Sequence, residues 1–144
     1  MATTAPSRPD IRERTRRALR AEITTQALTL IAERGFDAVT VDQLASSVGV
    51  SRRTLFRLFA TKEEIVVAAF EDLGEEALVA LRARRSEEPA WTALRRALDP
   101  IVARLQERPE IFFALHEVIA DTPALRGRLL ALRDGWRVDF AREL

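Results

Sequence analysis

The sequence has no cysteine and one histidine, His116, among its 144 residues. Without cysteine the chain forms no disulfide and no thiolate metal site, which suits a cytoplasmic protein. A single histidine is too few for a histidine-based metal cluster. The sequence also has no glycine-rich phosphate loop, no paired-carboxylate motif and no convincing serine–histidine arrangement. We therefore expect neither an enzyme nor a cofactor.

Long apolar runs are missing as well. No run approaches the roughly 20 residues that a membrane-spanning helix needs. The first six residues, MATTAP, lack the apolar segment of a secretory signal. We therefore expect a cytoplasmic protein without a membrane partner.

The net charge is +1, but the charged residues are distributed unevenly along the chain. Residues 1–60 carry ten arginines and six acids, a net +4, whereas residues 61–144 carry 13 basic and 16 acidic residues, a net −3. This asymmetry indicates that the first part alone meets a polyanion. Lys62 is the only lysine, so a general bias toward arginine is an alternative explanation.

The most informative stretch is residues 40–59. Its first half has apolar residues at the helical spacing i, i+3, i+4, i+7: Val41, Leu44, Ala45 and Val48. Gly49 then stands where a helix ends at positive φ, and Ser51 is placed to cap a second helix. We expect the buried face of that helix to comprise Leu55, Phe56, Leu58 and Phe59. Two helices joined by a short glycine-containing turn form a helix-turn-helix, a DNA-reading motif.

Polar residues at the start of this second helix suit DNA recognition. Ser51, Arg52, Arg53 and Thr54 supply the forked donors and hydroxyls that contact base edges or phosphates in a major groove. The alternative is a set of solvated surface residues on a helical bundle.

Further helices are predicted on both sides of this motif. A first helix should run over residues 11–34, with Asp10 and Glu13 as a capping box and Gly35 at its end. Before and within its first turns lies an arginine cluster that either follows phosphates or is simply solvated: Arg8, Arg12, Arg14, Arg16, Arg17 and Arg20.

Helix caps also mark two candidate phosphate contacts. Thr40, with Gln43, caps the helix that precedes the recognition helix, and a helix N-terminus favours phosphate. Thr61 opens a fourth helix, expected to reach residue 85. Lys62 lies in its first turn, where the helix dipole disfavours a cation unless a phosphate compensates. An exposed surface lysine is the alternative.

Residues 86–144 predict three more helices. The fifth should break near Leu98 because Pro100 lies inside it, and Pro109 should open the sixth. Aromatic residues and the histidine in this part either line an apolar effector pocket or pack between helices: Trp91, Phe112, Phe113, His116, Trp136 and Phe140.

Residues 10–70 resemble the N-terminal DNA-binding domain of the TetR family of transcriptional regulators. The runs ERGFDAVTVDQLASSVGVS and TLFRLFATKEEI carry the resemblance. It implies an all-α homodimer that binds a palindromic operator in double-stranded DNA and usually represses until a small, apolar effector binds. We accordingly expect a flexible arm (1–9), a helix-turn-helix domain (10–60) and a helical effector and dimerisation domain (61–144). Since the family usually has two further helices, we expect the last domain to be truncated.

Two positions depart from the family pattern. The family commonly has tyrosine at Phe56 and histidine at Leu58, and both usual residues tend to contact phosphate. We expect Phe56 to keep the packing and Arg53 and Arg57 to offset the lost anchors. The departures leave open a small-molecule-binding or dimerisation protein that has lost DNA binding. An accessory DNA-binding module of an enzyme is a further alternative.

Overall fold

The computed structural model describes residues 10–84 and 88–144, which form an all-α fold without a β-strand in those ranges. The predicted arm and part of the predicted 86–89 turn lie outside the described residues. The helices are, in chain order, α1 (Ile11–Arg34), α2 (Val41–Ser47), α3 (Arg52–Leu58), α4 (Lys62–Arg82), α5 (Ala90–Ala97), α6 (Asp99–Glu107), α7 (Pro109–Asp121) and α8 (Pro123–Glu143). Within the same ranges, no helix is both long and apolar enough to cross a membrane.

The ends of α1 show one confirmed and one wrong prediction. Gly35 ends the helix with φ 84°, and its N–H donates to the carbonyl of Ile31 at 2.8 Å. Asp10 occupies the N-cap position but makes no side-chain cap hydrogen bond. The expected capping box is therefore wrong. The carboxylate of Glu13 instead pairs with the guanidinium groups of Arg17 and Arg16.

The predicted breaks in the second half are confirmed. Leu98 separates α5 from α6, because Pro100 lacks the N–H that a continuous helix would require. Pro109 occupies the first turn of α7, where its missing N–H costs nothing, and Pro123 does the same in α8.

One main core joins the helix-turn-helix to the helices that follow it. Its buried side chains come from α1, α2, α3, α4, α7 and α8, among them Ile23, Leu44, Leu55, Ile65 and Leu125. Burial of each such side chain stabilises the fold by roughly 1.5–3 kcal/mol. The core is continuous across residues 60 and 61, so packing marks no boundary at the expected division between the two domains.

Several residues expected in the core are exposed. Phe56 is 42% exposed, because Leu55, Leu58 and Phe59 occupy the inner face of α3 and its neighbouring turn and leave position 56 outside. Trp91 is 74% exposed on α5. On α7 only Leu115 is fully buried. Helical spacing therefore indicates which side of a helix is buried, but not how wide the buried face is.

Candidate nucleic-acid interface

The helix-turn-helix is held by a tight turn between α2 and α3. Gly49 has φ 70°, a left-handed conformation that costs glycine little. Its N–H donates to the carbonyl of Ser46 at 3.2 Å, and the N–H of Val50 donates to the carbonyl of Ala45 at 3.0 Å. Buried Leu44 and Ala45 pack beneath the turn in the main core. The predicted turn geometry is thus confirmed.

The N-terminus of α3 is capped as the sequence indicates. The hydroxyl oxygen of Ser51 accepts from the N–H of Thr54 at 3.1 Å. The two hydroxyl groups also lie 2.9 Å apart, within hydrogen-bond distance. Both hydroxyls therefore stand beside the positive end of α3, where a phosphate is favoured.

The outer face of α3 presents three arginines and one aromatic ring. Arg52, Arg53, Phe56 and Arg57 are exposed, whereas Leu55 and Leu58 hold the opposite face in the core. This arrangement gives a rigid helix whose exposed side chains can enter a groove without disturbing the packing underneath. The five-donor guanidinium fork matches guanine edges and phosphates.

Arg52 has two neighbours within the protein. Its Nη1 atom lies 3.5 Å from Oδ2 of Asp42 on α2, and its guanidinium carbon lies 5.4 Å from the ring centroid of Phe56. The ion pair is solvent-exposed and weak, so Arg52 can exchange Asp42 for a base or a phosphate at little cost.

Thr40 and Gln43 form the predicted capping box at the start of α2. The N–H of Gln43 donates to the Thr40 hydroxyl oxygen at 3.1 Å, and the N–H of Thr40 donates to Oε1 of Gln43 at 3.0 Å. The threonine hydroxyl accepts in this arrangement, so its own proton can be donated outward to a phosphate.

Lys62 is not the exposed surface lysine that one alternative described. Its Nζ donates to the backbone carbonyls of Phe36 at 2.6 Å and Val39 at 2.9 Å. The same atom lies 4.2 Å from the centroid of the Phe36 ring. These partners offset the unfavourable helix dipole from within the protein. Two of the three ammonium protons are used in this way, and the third remains for the predicted phosphate contact.

Arg20 joins α1 to the end of α3. Its guanidinium donates to the carbonyl of Leu58 and lies 4.3 Å from the centroid of the Phe59 ring. With Arg16 and Arg17 paired to Glu13, three of the clustered arginines have partners within the protein.

A cavity of about 210 Å³ lies between α1, α4, α6 and α7. Its wall is mainly apolar, with Leu28, Phe70, Leu73, Leu105 and Ile111 among the lining side chains. Polar lining comes from Thr25, Thr29, Arg104, Glu107 and Arg108. The mainly apolar wall with a few polar groups suits a small organic ligand.

The residues predicted to line an effector pocket do not converge on this cavity. Phe112 lines it, and Phe112 and His116 together line a second cavity, of about 250 Å³, against α8. Trp136 instead packs directly on Gly74 of α4. Phe113 is 65% exposed and meets Phe112 edge-to-face at 5.7 Å, while Trp91 faces solvent.

Sequence reasoning missed the polar lining of the cavity. Arg104 shares one face of α6 with Ile101 and Leu105, and Arg108 continues the i, i+3, i+4, i+7 spacing directly after the helix. An arginine within an apolar stripe was the available signal.

Comparison with known proteins agrees with this geometry. Residues 23–69 match the family described as bacterial regulatory proteins, tetR family. The chain belongs to the tetR family. The match covers the second half of α1, all of α2 and α3, and the start of α4, which together form the helix-turn-helix and part of the core that supports it.

TetR-family relatives extend the likeness beyond the matched segment. The chain is 30% identical to the HTH-type transcriptional regulator TcmR of Streptomyces glaucescens over 131 residues, covering 87% of this chain and 58% of TcmR. It is 31% identical to a putative mycofactocin biosynthesis transcriptional regulator, MftR, of Mycobacterium tuberculosis over 124 residues, covering 83% and 61%. The chain thus spans about three fifths of the length of these relatives.

A solved structure shows the same fold. The TetR-family transcriptional regulator PfmR from Thermus thermophilus superposes with a TM-score of 0.56 at 26% identity, covering 84% of this chain and 69% of PfmR. Leu58, one of the two positions that depart from the family pattern, is 7% exposed and contributes to the core.

Proposed function

We propose that this chain is the DNA-reading part of a transcriptional regulator that binds a palindromic operator as a homodimer. The observation that carries the proposal is the outer face of α3. Arg52, Arg53 and Arg57 project from a helix fixed beneath by Leu55 and Leu58. Arginine forks near the start of such a helix suit guanine edges and phosphates. The names of TcmR and MftR, both transcriptional regulators, support this function.

The proposed DNA contacts fall into two groups according to the part of the DNA that they approach. Arg52, Arg53 and Thr54 approach base edges, while Thr40 and Lys62 approach phosphates. The full set of proposed DNA contacts is Thr40, Ser51, Arg52, Arg53, Thr54, Phe56, Arg57 and Lys62. Phe56, exposed and without a hydroxyl, contributes an apolar surface such as a thymine methyl group would contact.

Selection of bound duplexes from a random pool, followed by fluorescence anisotropy, tests the proposal. Arg53→Ala should weaken binding to the selected site by about 5- to 150-fold and relax the preference at one base pair, as expected for loss of a base-reading arginine. Arg95→Ala, at an exposed position on α5 away from the proposed dimer contact, is the matched control and should leave affinity within about twofold. Recovery of no preferred sequence would favour a TetR-like protein that has lost DNA binding.

Regulation by a small molecule is part of the same proposal. The cavity between α1, α4, α6 and α7 touches α1 and α4, which share the main core with α3. A ligand that shifts these helices alters how α3 meets DNA. We therefore propose a cytoplasmic repressor that releases its operator when the cavity is filled.

Homodimerisation follows from the reach of one recognition helix. A single helix reads a few base pairs, whereas two helices on a two-fold axis read half-sites about 34–36 Å apart or a multiple of that. Exposed apolar side chains of α7 and α8, including Phe113, Leu130 and Val138, are the proposed source of the contact. Light scattering over a concentration series should show weak association. A monodisperse monomer at high concentration would contradict it.

A further inference from the structure

The cavity between α1, α4, α6 and α7 has an unusual pair of cations in its wall. Arg104 lies in the last turns of α6, and Arg108 follows directly after that helix. Among the described residues that line the cavity, Glu107 is the only acid, so the charged groups sum to +1. Most of the remaining wall is aliphatic or aromatic. The cavity therefore combines an apolar body with a positive edge.

Arg104 faces two spaces at once. It lines the cavity, and it also lines a surface groove between α1, α4 and α6 that contains Arg20, Asp72 and Glu76. Its Nη1 atom lies 2.6 Å from Oε1 of Glu76, and this ion pair is about half exposed on both sides. Since Glu76 belongs to the groove and not to the cavity, the partner that now holds Arg104 lies outside the ligand space.

We propose that the ligand of this cavity is an amphipathic carboxylic acid whose carboxylate takes the guanidinium of Arg104 from Glu76. The inference rests on the proposed effector-controlled regulator and specifies its effector class. An apolar cavity of about 150 Å³ suffices to bind benzene, so this larger one admits the body of a medium-chain or aromatic acid. A carboxylate matches the fork of arginine, whereas an alcohol provides one weaker contact and an amine is repelled.

The same exchange of partners would transmit the effect of ligand binding to the recognition helix, α3. Arg20, Asp72, Glu76 and Arg104 form a charge network that ends at the Leu58 carbonyl, to which Arg20 donates. Desolvation raises the pKa of Asp72, while the charges of Arg20 and Arg104 act to lower it and that of Glu76 to raise it. When Arg104 turns to a ligand, Arg20 is the cation that remains with Asp72 and Glu76 in this network. Arg20 is then drawn from Leu58, and the end of α3 loses its support.

Calorimetric titration of the DNA-free chain tests the ligand class. Octanoate, 1-octanol and octylamine share one apolar body and differ in the head group. Octanoate should bind at least tenfold more tightly than octanol, and octylamine should bind more weakly than both. Arg104→Gln should bring octanoate within about twofold of octanol. Arg96→Gln, which removes an ion-paired arginine outside the cavity, should preserve the preference. Equal binding of acid and alcohol, or no binding of hexanoate, octanoate or decanoate, would overturn the proposal.

Anisotropy with a selected duplex tests the path to α3. Octanoate should weaken DNA binding by the wild-type chain at least fivefold. Asp72→Asn removes one carboxylate of the network without touching the cavity wall. This variant should bind octanoate as tightly as the wild type does, but octanoate should weaken its DNA binding less than twofold. Acid binding without any DNA binding would refute the proposed regulator alone, whereas DNA binding with no head-group preference would refute the effector class alone.

Discussion

Replacing Lys62 separates its structural role in the fold from its proposed role in DNA binding. Its ammonium group donates to two carbonyls in the loop between α1 and α2, at 2.6 and 2.9 Å, and stacks on the Phe36 ring. The loop leads directly into Thr40, the cap of α2. Lys62→Met keeps most of the apolar stem and removes the charge and all three donors.

The expected loss of stability follows from these contacts. A hydrogen bond to a charged group contributes roughly 1.5–3 kcal/mol, and a partly exposed cation–π contact roughly 0.5–1 kcal/mol. Removing a cation from the first turn of a helix returns roughly 0.3–1 kcal/mol. Because Lys62 is only half-buried, the lower ends apply, and we expect a net loss of about 2–3 kcal/mol. For a chain of this size that corresponds to about 6–10 °C in Tm.

Two measurements on the same variant distinguish the roles. Urea unfolding reports the loop contacts, with the exposed Arg95→Met on α5 as a matched control that should change stability by less than about 0.5 kcal/mol. The salt dependence of DNA affinity reports phosphate contacts, since each one lost lowers the slope of log K against log salt by about 0.9. Unfolding of Lys62→Met at the wild-type urea midpoint would refute the structural argument, and an unchanged slope would remove Lys62 from the phosphate contacts.

Four further substitutions are informative. Gly74→Ala places a methyl group inside the indole of Trp136 and should destabilise by about 1–3 kcal/mol in urea, whereas Gly135→Ala, facing open space, should stabilise by about 0.5–1 kcal/mol. Asp42→Asn removes the carboxylate that pairs with Arg52 and should raise DNA affinity about two- to tenfold in anisotropy; unchanged affinity would contradict the proposed exchange of Asp42 for DNA at Arg52. The raised pKa of Asp72 favours its neutral form in the fold, so this contribution to stability exists at acid pH and is lost as pH rises through the folded pKa. Asp72→Asn should abolish that loss in urea titrations from about pH 3 to 7.

The helix-turn-helix was predictable because its signals are local. The caps at Thr40 and Ser51 and the positive φ of Gly49 each depend on a few neighbouring residues. The prolines at 100 and 109 act equally locally, through a missing N–H. Such features need no knowledge of which helices meet.

The positions of individual side chains were less predictable because they depend on long-range contacts. Nothing near Lys62 in sequence shows that it would reach carbonyls 23 and 26 residues earlier. Phe56 is apolar and adjacent to buried Leu55, so composition alone favoured burial. The cavity draws its wall from four helices, and its arginines became visible as a group once α6 was placed beside α1 and α4.

The single core that runs beneath both halves of the chain limits how this protein could be recombined. A chimera joined at residues 60 and 61 would place Leu58 and Phe59 from one parent against Ile65 and Val66 from another. Interiors are close-packed, so even one surplus methylene at that seam is felt. To exchange operator specificity between relatives, replacing the outward-facing residues of α3 is therefore better than transferring the whole helix-turn-helix domain.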